Sequence, residues 1–135
     1  AAMILPILRI RDVLLTSIHR HLVDEEALQF QGELLDAVHR WEARGVVIDL
    51  SAMRVIDSFM SRILGDLGSS CRFLGARPIF CGIQPEVAVT LIEMGRDLRG
   101  VETARDLEHA LHVFSLRVTE GQAAPTGRTT DDGTP

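Results

Sequence analysis

Apolar residues along the first half of the chain follow strand-like and helix-like spacings in turn. Two short apolar runs flank a polar break in ILPILRIRDVLLTSIH (residues 4–19), which predicts a β-hairpin. Residues 24–45 carry apolar positions at helical spacing, with Asp24 expected as the N-cap and Arg44 and Gly45 at the end. The next run, VVIDL (46–50), has no polar alternation and predicts a strand covered on both faces.

The same alternation continues through the second half. An amphipathic helix is predicted over residues 57–74, with Gly75 as a left-handed stop. Its expected core positions are Phe59, Ile63, Leu64, Leu67, Cys71 and Leu74. RPIFCGI (77–83) predicts a strand, and Pro85 and Gly95 bound a short helix. A brief strand near GVET (100–103) and a last helix over 104–118 complete an α/β pattern.

The composition changes after residue 118. Residues 119–135 contain no Leu, Ile, Val or Phe, so this segment has too little apolar surface to order itself. A chain of 135 residues with 46% hydrophobic content has room for one domain with a core. We therefore expect one domain over residues 1–118 and a disordered C-terminal tail over residues 119–135.

Charge and aromatic content narrow the classes of partner. The net charge of −5 lacks the basic footprint that nucleic acid or anionic lipid requires, and one Trp, five Phe and no Tyr give few stacking surfaces for bases. No apolar run reaches the roughly 20 residues of a membrane span, and no secretory signal is evident. The expectation is a cytoplasmic protein that binds neither nucleic acid nor membrane. Cys71 and Cys81 lack CxxC spacing and are expected to be buried free thiols.

Ser58, at the predicted start of the second helix, is the first candidate for chemistry. A serine at a strand-to-helix turn is also found in hydrolases, but there small residues flank the nucleophile, whereas Asp57 and Phe59 flank Ser58. No histidine follows at a position that argues for an activating base. The sequence therefore does not favour a serine hydrolase, and we expect no enzymatic activity.

Histidines and glycines give weaker signals. His19 and His21, and His109 and His112, form close pairs, but neither pair has the third or fourth ligand that a metal site needs. GDLGSS (65–70) lacks the lysine of a phosphate-binding loop and lies within a helical pattern, which indicates close helix packing or a bend. We expect neither a metal nor a cofactor.

Two interpretations of the Asp57–Ser58 pair remain. Either residue is a suitable N-cap, worth about 1 kcal/mol, and from the residues alone this is the favoured interpretation. The alternative is that Ser58 is a phosphoacceptor, since a phosphate of about −1.5 to −2 charge is tolerated at a helix start.

Three segments together carry a family resemblance: GVVIDLSAMRVIDSFMSRILGDL (45–67), GIQPEVAVTLIEMG (82–95) and VETARDLEHAL (101–111). They resemble the STAS domain of bacterial anti-sigma factor antagonists, and within that family the RsbS-type proteins of the stressosome, over about residues 4–118. The resemblance implies a mixed, mainly parallel β-sheet flanked by about four α-helices. It also implies a binding protein without catalytic activity.

The resemblance further implies a phosphorylation switch. The family's phosphorylated serine corresponds to Ser58, and the implied kinase-facing surface consists of Asp57, Ser58, Phe59 and Arg62. The implied partners are an RsbT-like serine/threonine kinase that is sequestered and then released, RsbR-like STAS scaffolds, an RsbX-like phosphatase, and a second copy in a homodimer within a large assembly. A free-standing antagonist that binds an anti-sigma kinase directly is the alternative. A nucleotide or small-molecule sensor is a third, although no glycine fingerprint supports it.

Overall fold

The computed structural model describes residues 3–95 and 101–116, in which a pair of strands is followed by alternating helices and strands. The strands are β1 (Ile7–Ile10), β2 (Val13–Ser17), β3 (Gly45–Asp49), β4 (Arg77–Cys81) and β5 (Glu102–Ala104). The helices are α1 (Asp24–Arg40), α2 (Ser58–Phe73), α3 (Pro85–Glu93) and α4 (Leu107–Val113). The predicted α/β fold is confirmed.

The strands form one mixed sheet in the order β1-β2-β3-β4-β5. β1 and β2 pair antiparallel as the predicted hairpin, with Leu8 opposite Leu15, and the other neighbouring strands pair parallel. The carboxyl ends of β2, β3 and β4 therefore lie at one edge of the sheet. The segment that leads from β3 into α2 begins at that edge, next to the segment that leads from β2 into α1.

The two faces of the sheet are covered unequally. Helices α1, α2 and α3 pack on one face in the larger core cluster, against strand residues such as Val46, Ile48 and Phe80. Helix α4 packs on the other face with Val47 and Ile79. Alternate residues of β3 thus point into two cores, which explains why its sequence is apolar without alternation. The prediction of a strand covered on both faces is confirmed.

The ends of α1 differ from the prediction. Val23, in an extended conformation, is the N-cap, and Asp24 is the first helical residue. The Glu26 carboxylate accepts a hydrogen bond from the Val23 amide at 3.1 Å. The helix also ends at Arg40 rather than at Arg44, because Glu42 adopts a left-handed conformation (φ 49°) that turns the chain toward β3. The predictions of Asp24 as the cap and Arg44 at the helix end are wrong.

Two further predictions need correction. Leu74 is the C-cap of α2 and is 44% exposed, so it is not a core position. Helix α4 spans residues 107–113 rather than 104–118, since Asp106 caps its start and Ser115 turns the chain with a left-handed φ of 61°. The predicted left-handed stop at Gly75 is confirmed by its φ of 88°.

Cys71 and Cys81 are both buried and free, as predicted. Burial raises the pKa of each thiol to about 12, and at Cys81 the charges of Asp49 and Asp106 add to that effect. Both thiols are therefore protonated at neutral pH and unreactive.

The glycine-containing segment 65–70 lies inside α2, and one of its glycines permits close packing. A Cβ atom on Gly68 would lie 2.6 Å from Cγ2 of Val101, so the predicted close approach of this helix to a neighbouring segment is confirmed. The division at residue 118 stays a prediction, because residues 117–135 lie outside the described ranges.

Candidate functional site

Asp57 caps the start of α2. Its backbone is extended (φ −100°, ψ 177°), and its Oδ1 accepts a hydrogen bond from the Met60 amide at 2.8 Å. A side-chain acceptor at this position satisfies one of the amides that has no partner within the helix. The structure thus assigns the cap to Asp57, and the Ser58 hydroxyl is not needed for it.

Ser58 is the first residue of α2 and is exposed. Its carbonyl oxygen accepts a hydrogen bond from the Ser61 hydroxyl at 3.0 Å, and Ser61 is buried below it. Within residues 3–95 and 101–116, the Ser58 hydroxyl itself has no hydrogen-bond partner. The side chain is therefore accessible and uncommitted, while the backbone beneath it is well fixed.

Phe59 and Arg62 lie on the first turns of the same helix. Phe59 is half-buried and packs against the larger core cluster, and the Arg62 guanidinium carbon lies 5.6 Å from the centroid of the Phe59 ring. Arg62 is exposed and, in the part of the chain that the structure describes, pairs with no carboxylate. All four residues of the predicted kinase-facing surface thus lie at one end of α2.

A groove adjoins this end of the helix. Its volume is about 460 Å³, and it lies between the segment that leads into α1 and the segment that leads into α2. The lining side chains are mostly apolar, with charged groups among them: Ile18, Arg20, His21, Leu22, Asp24, Ala52, Met53, Arg54, Val55, Ile56, Asp57, Phe59 and Met60. Asp57 and Phe59 connect the groove to the Ser58 surface.

Val55 is a feature of this groove that the sequence analysis missed. Its side chain is 84% exposed, only three residues before Ser58. An apolar side chain left in water so close to the candidate site is typical of a contact surface. The signal in the sequence was an aliphatic residue inside the polar break between strand and helix, but its exposure depends on the path of the loop.

A crevice also opens at the carboxyl ends of β3 and β4, the kind of place where open α/β folds often bind small ligands. It measures about 420 Å³, and Asp49, Ser51, Gly82 and Gln84 are among its lining residues. Here Asp49 accepts hydrogen bonds from the amide and hydroxyl of Ser51, and Gln84 donates to the Ser51 carbonyl at 2.8 Å. These polar groups bond one another rather than converge on the open space.

Within the described residues, metal binding would need clustered ligand side chains, and membrane crossing would need a long apolar helix. No group of three or more His, Cys, Asp or Glu side chains is placed to hold a metal ion there. His109 instead takes part in a local contact, with its Nδ1 atom 3.3 Å from the Arg105 amide nitrogen. No helix in residues 3–95 or 101–116 is long and apolar enough to cross a membrane.

Comparison with known families agrees with this architecture. The model of the STAS domain matches residues 6–110, which include the whole sheet and the starts of α1, α2 and α4 described above. The chain belongs to the STAS-domain family. Its sheet of mainly parallel strands with four helices in the described ranges is the fold that the sequence resemblance implied.

Within the STAS family the chain is similar to RsbS. The RsbS S58E variant of Moorella thermoacetica is 39% identical, with a TM-score of 0.74 over 82% of this chain and 94% of that one. A chain in a solved structure of the molecular architecture of the stressosome, a signal integration and transduction hub, is 40% identical. Its TM-score is 0.73 over 82% of this chain and 96% of that one.

A curated relative points to the same group of proteins. The RsbT co-antagonist protein RsbRA of Bacillus subtilis is 27% identical over 103 residues, which is 76% of this chain. The match spans only 37% of the length of RsbRA. The chain is thus an RsbS-like STAS protein that is related to one part of a larger co-antagonist.

Proposed function

We propose that this protein is a stressosome core component that sequesters an RsbT-like serine/threonine kinase and is phosphorylated by it on Ser58, which releases the kinase. The observation that carries the proposal is the exposed, unbonded hydroxyl of Ser58 at a helix start that Asp57 already caps. The 39% identity to an RsbS whose name records the S58E change supports it. In that relative, glutamate replaces a serine and adds a negative charge.

The proposed reaction is a phosphoryl transfer in which the kinase supplies the catalytic groups. The Ser58 Oγ atom forms a bond to the γ-phosphorus of ATP while the bond from that phosphorus to the β,γ-bridging oxygen breaks, and ADP leaves. A base of the kinase takes the hydroxyl proton. This chain provides a rigidly held acceptor, because the Asp57 cap and the Ser61 hydroxyl fix the backbone on either side of it.

The same surface explains how phosphorylation would release the kinase. A phosphate brings about −1.5 to −2 charge beside the Asp57 carboxylate and next to a mostly apolar groove. A partner that buries this surface would have to desolvate that charge and accept its repulsion from other anions. Binding would weaken without any loss of the fold.

The proposed kinase-docking surface contains Asp57, Ser58, Phe59 and Arg62, and we include Val55 because it is exposed beside them. Phe59 and Val55 offer apolar contact area, and Arg62 offers a positive charge. Aromatic and arginine side chains are the residues that most often dominate binding energy at protein interfaces.

The wider proposal concerns assembly and location. We place the protein in the cytoplasm, without catalytic activity of its own, in a homodimer and in a large complex with RsbR-like STAS scaffolds. An RsbX-like phosphatase would remove the phosphate and reset the switch. The similarity to RsbRA and to a stressosome chain supports the assembly with scaffold proteins.

The test is to measure kinase affinity by isothermal calorimetry for wild type, Ser58→Ala and Ser58→Asp. We expect Ser58→Ala to bind as wild type does and Ser58→Asp to bind at least tenfold more weakly. Val55→Ser should weaken binding with no loss of stability, and Leu28→Ser on the exposed part of α1 is its control. Equal affinity of the alanine and aspartate variants would contradict the switch.

Light scattering with an RsbR-like scaffold separates the proposal from a free-standing antagonist. A large co-assembly is the expected result. Small dimers that persist in the presence of the scaffold would instead support an antagonist that binds an anti-sigma kinase directly.

A further inference from the structure

We infer that a phosphate on Ser58 is bound by the guanidinium of Arg62. To bind it, the Arg62 side chain moves away from the Phe59 ring. The inference deepens the proposed function and rests on Ser58 being the modified residue. Arg62 then has two roles: it binds the phosphate within this chain, and it is part of the docking surface.

Ser58 and Arg62 lie on the same face of α2. Arg62 lies four residues after Ser58, and residues at this spacing are neighbours on one helix face. Side chains on a helix also point back toward its N-terminus, so an arginine at the later position reaches toward the earlier one. Arg62 does so here, since its guanidinium lies 5.6 Å from the ring of Phe59, three residues before it.

Among the described residues, Arg62 has no partner stronger than the Phe59 ring. In the described ranges it pairs with no carboxylate, and its guanidinium makes a cation–π contact with the Phe59 ring. An exposed cation–π contact is weak, whereas a guanidinium binds a phosphate through two parallel, charge-assisted hydrogen bonds. A phosphate one helical turn away is therefore the better partner, and the movement requires only side-chain rotation.

The other charged groups near Ser58 do not offer the same pairing. Asp57 repels a phosphate, and across the groove Arg20 is already paired with Glu26 at 3.2 Å, near His21 and Asp24. Arg54 is exposed and, within residues 3–95 and 101–116, pairs with no carboxylate; it lines the groove from the loop before the helix, outside the helical spacing. Arg54 therefore serves as the matched control for the loss of one positive charge.

The consequence is that phosphorylation changes the shape of the docking surface as well as its charge. When Arg62 turns to the phosphate, the face of Phe59 loses its cover and the positive charge is no longer available to a partner. A single carboxylate at position 58 can attract Arg62 but presents only one charge and a different geometry. Ser58→Asp should consequently reproduce the phosphorylated state only in part.

The test uses protein with phosphoserine installed at position 58 during translation, so it does not depend on any kinase. A ³¹P NMR titration gives the second pKa of the phosphate, which is about 6 for free phosphoserine. Loss of a favourable charge pair raises that pKa, so Arg62→Gln should raise it by about 0.4 pH units relative to wild type. Arg54→Gln should leave it unchanged, and Arg62→Lys should raise it by less than Arg62→Gln does.

Two results would overturn the inference. One is the same phosphate pKa in wild type and Arg62→Gln; the other is a larger change in Arg54→Gln than in Arg62→Gln. A second measurement is the ¹⁵Nε chemical shift of Arg62, which should differ between the phosphorylated and the unphosphorylated protein. If the kinase fails to phosphorylate Ser58 while these shifts appear, the proposed function is wrong and the phosphate–Arg62 pairing still stands.

Discussion

Helices α2 and α4 begin in the same way and continue differently. Each has an aspartate as N-cap, and in each the Oδ1 atom accepts a hydrogen bond of 2.8 Å from the amide three residues later. The residue after the cap is Ser58 in α2, exposed and without a hydroxyl partner in the described ranges, and Leu107 in α4, half-buried against the core of its face.

The side chain that follows the cap stabilises the fold at α4 but not at α2. At α4 the first helical residue packs against the sheet, so both cap and side chain contribute to stability. At α2 the Asp57 cap and the Ser61 hydroxyl hold the helix start, and the Ser58 hydroxyl makes no hydrogen bond in the described ranges. A serine that neither caps nor packs is the feature that favours a modification site over a structural one.

The largest expected difference in the free energy of unfolding comes from truncating the first helical residue of α4 and of α2. Leu107→Ala removes half-buried apolar surface and should lower the free energy of unfolding by about 1.5 kcal/mol. Ser58→Ala should change it by less than about 0.5 kcal/mol, as is usual for exposed positions. Urea denaturation followed by circular dichroism measures both, and similar losses for the two variants would break the distinction.

Loss of the Asp57 cap is expected to have the next largest effect on the free energy of unfolding. Asp57→Ala should lower the free energy of unfolding by about 1 kcal/mol, because the Met60 amide loses its acceptor. Asp57→Asn should retain most of the stability, since asparagine caps helices about as well. If the alanine variant is as stable as the asparagine variant, Ser58 or water replaces the cap and the hydroxyl is not free.

A smaller effect is expected from charge at position 58. Ser58→Asp places a carboxylate in the first turn of α2, where the helix dipole favours it, and repulsion from Asp57 offsets part of that gain. We expect a stability within about 0.3 kcal/mol of wild type, with any gain reduced at high salt. A loss of more than about 1 kcal/mol, as a lost cap would give, would show that the helix start does not tolerate phosphate.

The smallest effect is a pH dependence at α4. The hydrogen bond from the His109 amide, helped by Arg105, holds the pKa of Asp106 below its usual value. A lowered folded-state pKa means that the cap stabilises α4 fully above the unfolded value of about 3.9 and is lost as pH falls through the folded value. The protection of the His109 amide against hydrogen exchange, measured relative to the intrinsic rate at each pH, should fall in that range, and Asp106→Asn should remove this dependence.

Local sequence signals were enough to predict the helix start at the candidate site. A strand of continuous apolar residues, a polar break and Asp57 before an amphipathic run define α2 without reference to distant residues, and the family pattern placed Ser58 there. The left-handed stop at Gly75 was predicted from the end of the same helical pattern, and the buried free cysteines were predicted from their lack of CxxC spacing. Leu74 was misassigned because the helical spacing continues through it, although it lies past the last helical residue.

The parts that could not be predicted depend on distant segments meeting. The groove forms because β2 and β3 are parallel neighbours, so the segments that follow them lie side by side. Nothing near Val55 in the sequence shows which way its loop turns. Asp24 was predicted as the cap of α1 because aspartate is a favoured capping residue, but the extended conformation of Val23 makes Val23 the cap instead.

The most direct test of the central claim is to incubate the protein with an RsbT-like kinase and ATP and to locate the phosphate by tandem mass spectrometry. We expect wild type to gain one phosphate, on Ser58, and Ser58→Ala to gain none. The Asp106→Ala variant, which loses the cap of the other helix, should be phosphorylated as wild type is. Phosphate on a different residue, or on the Ser58→Ala protein, would contradict the account.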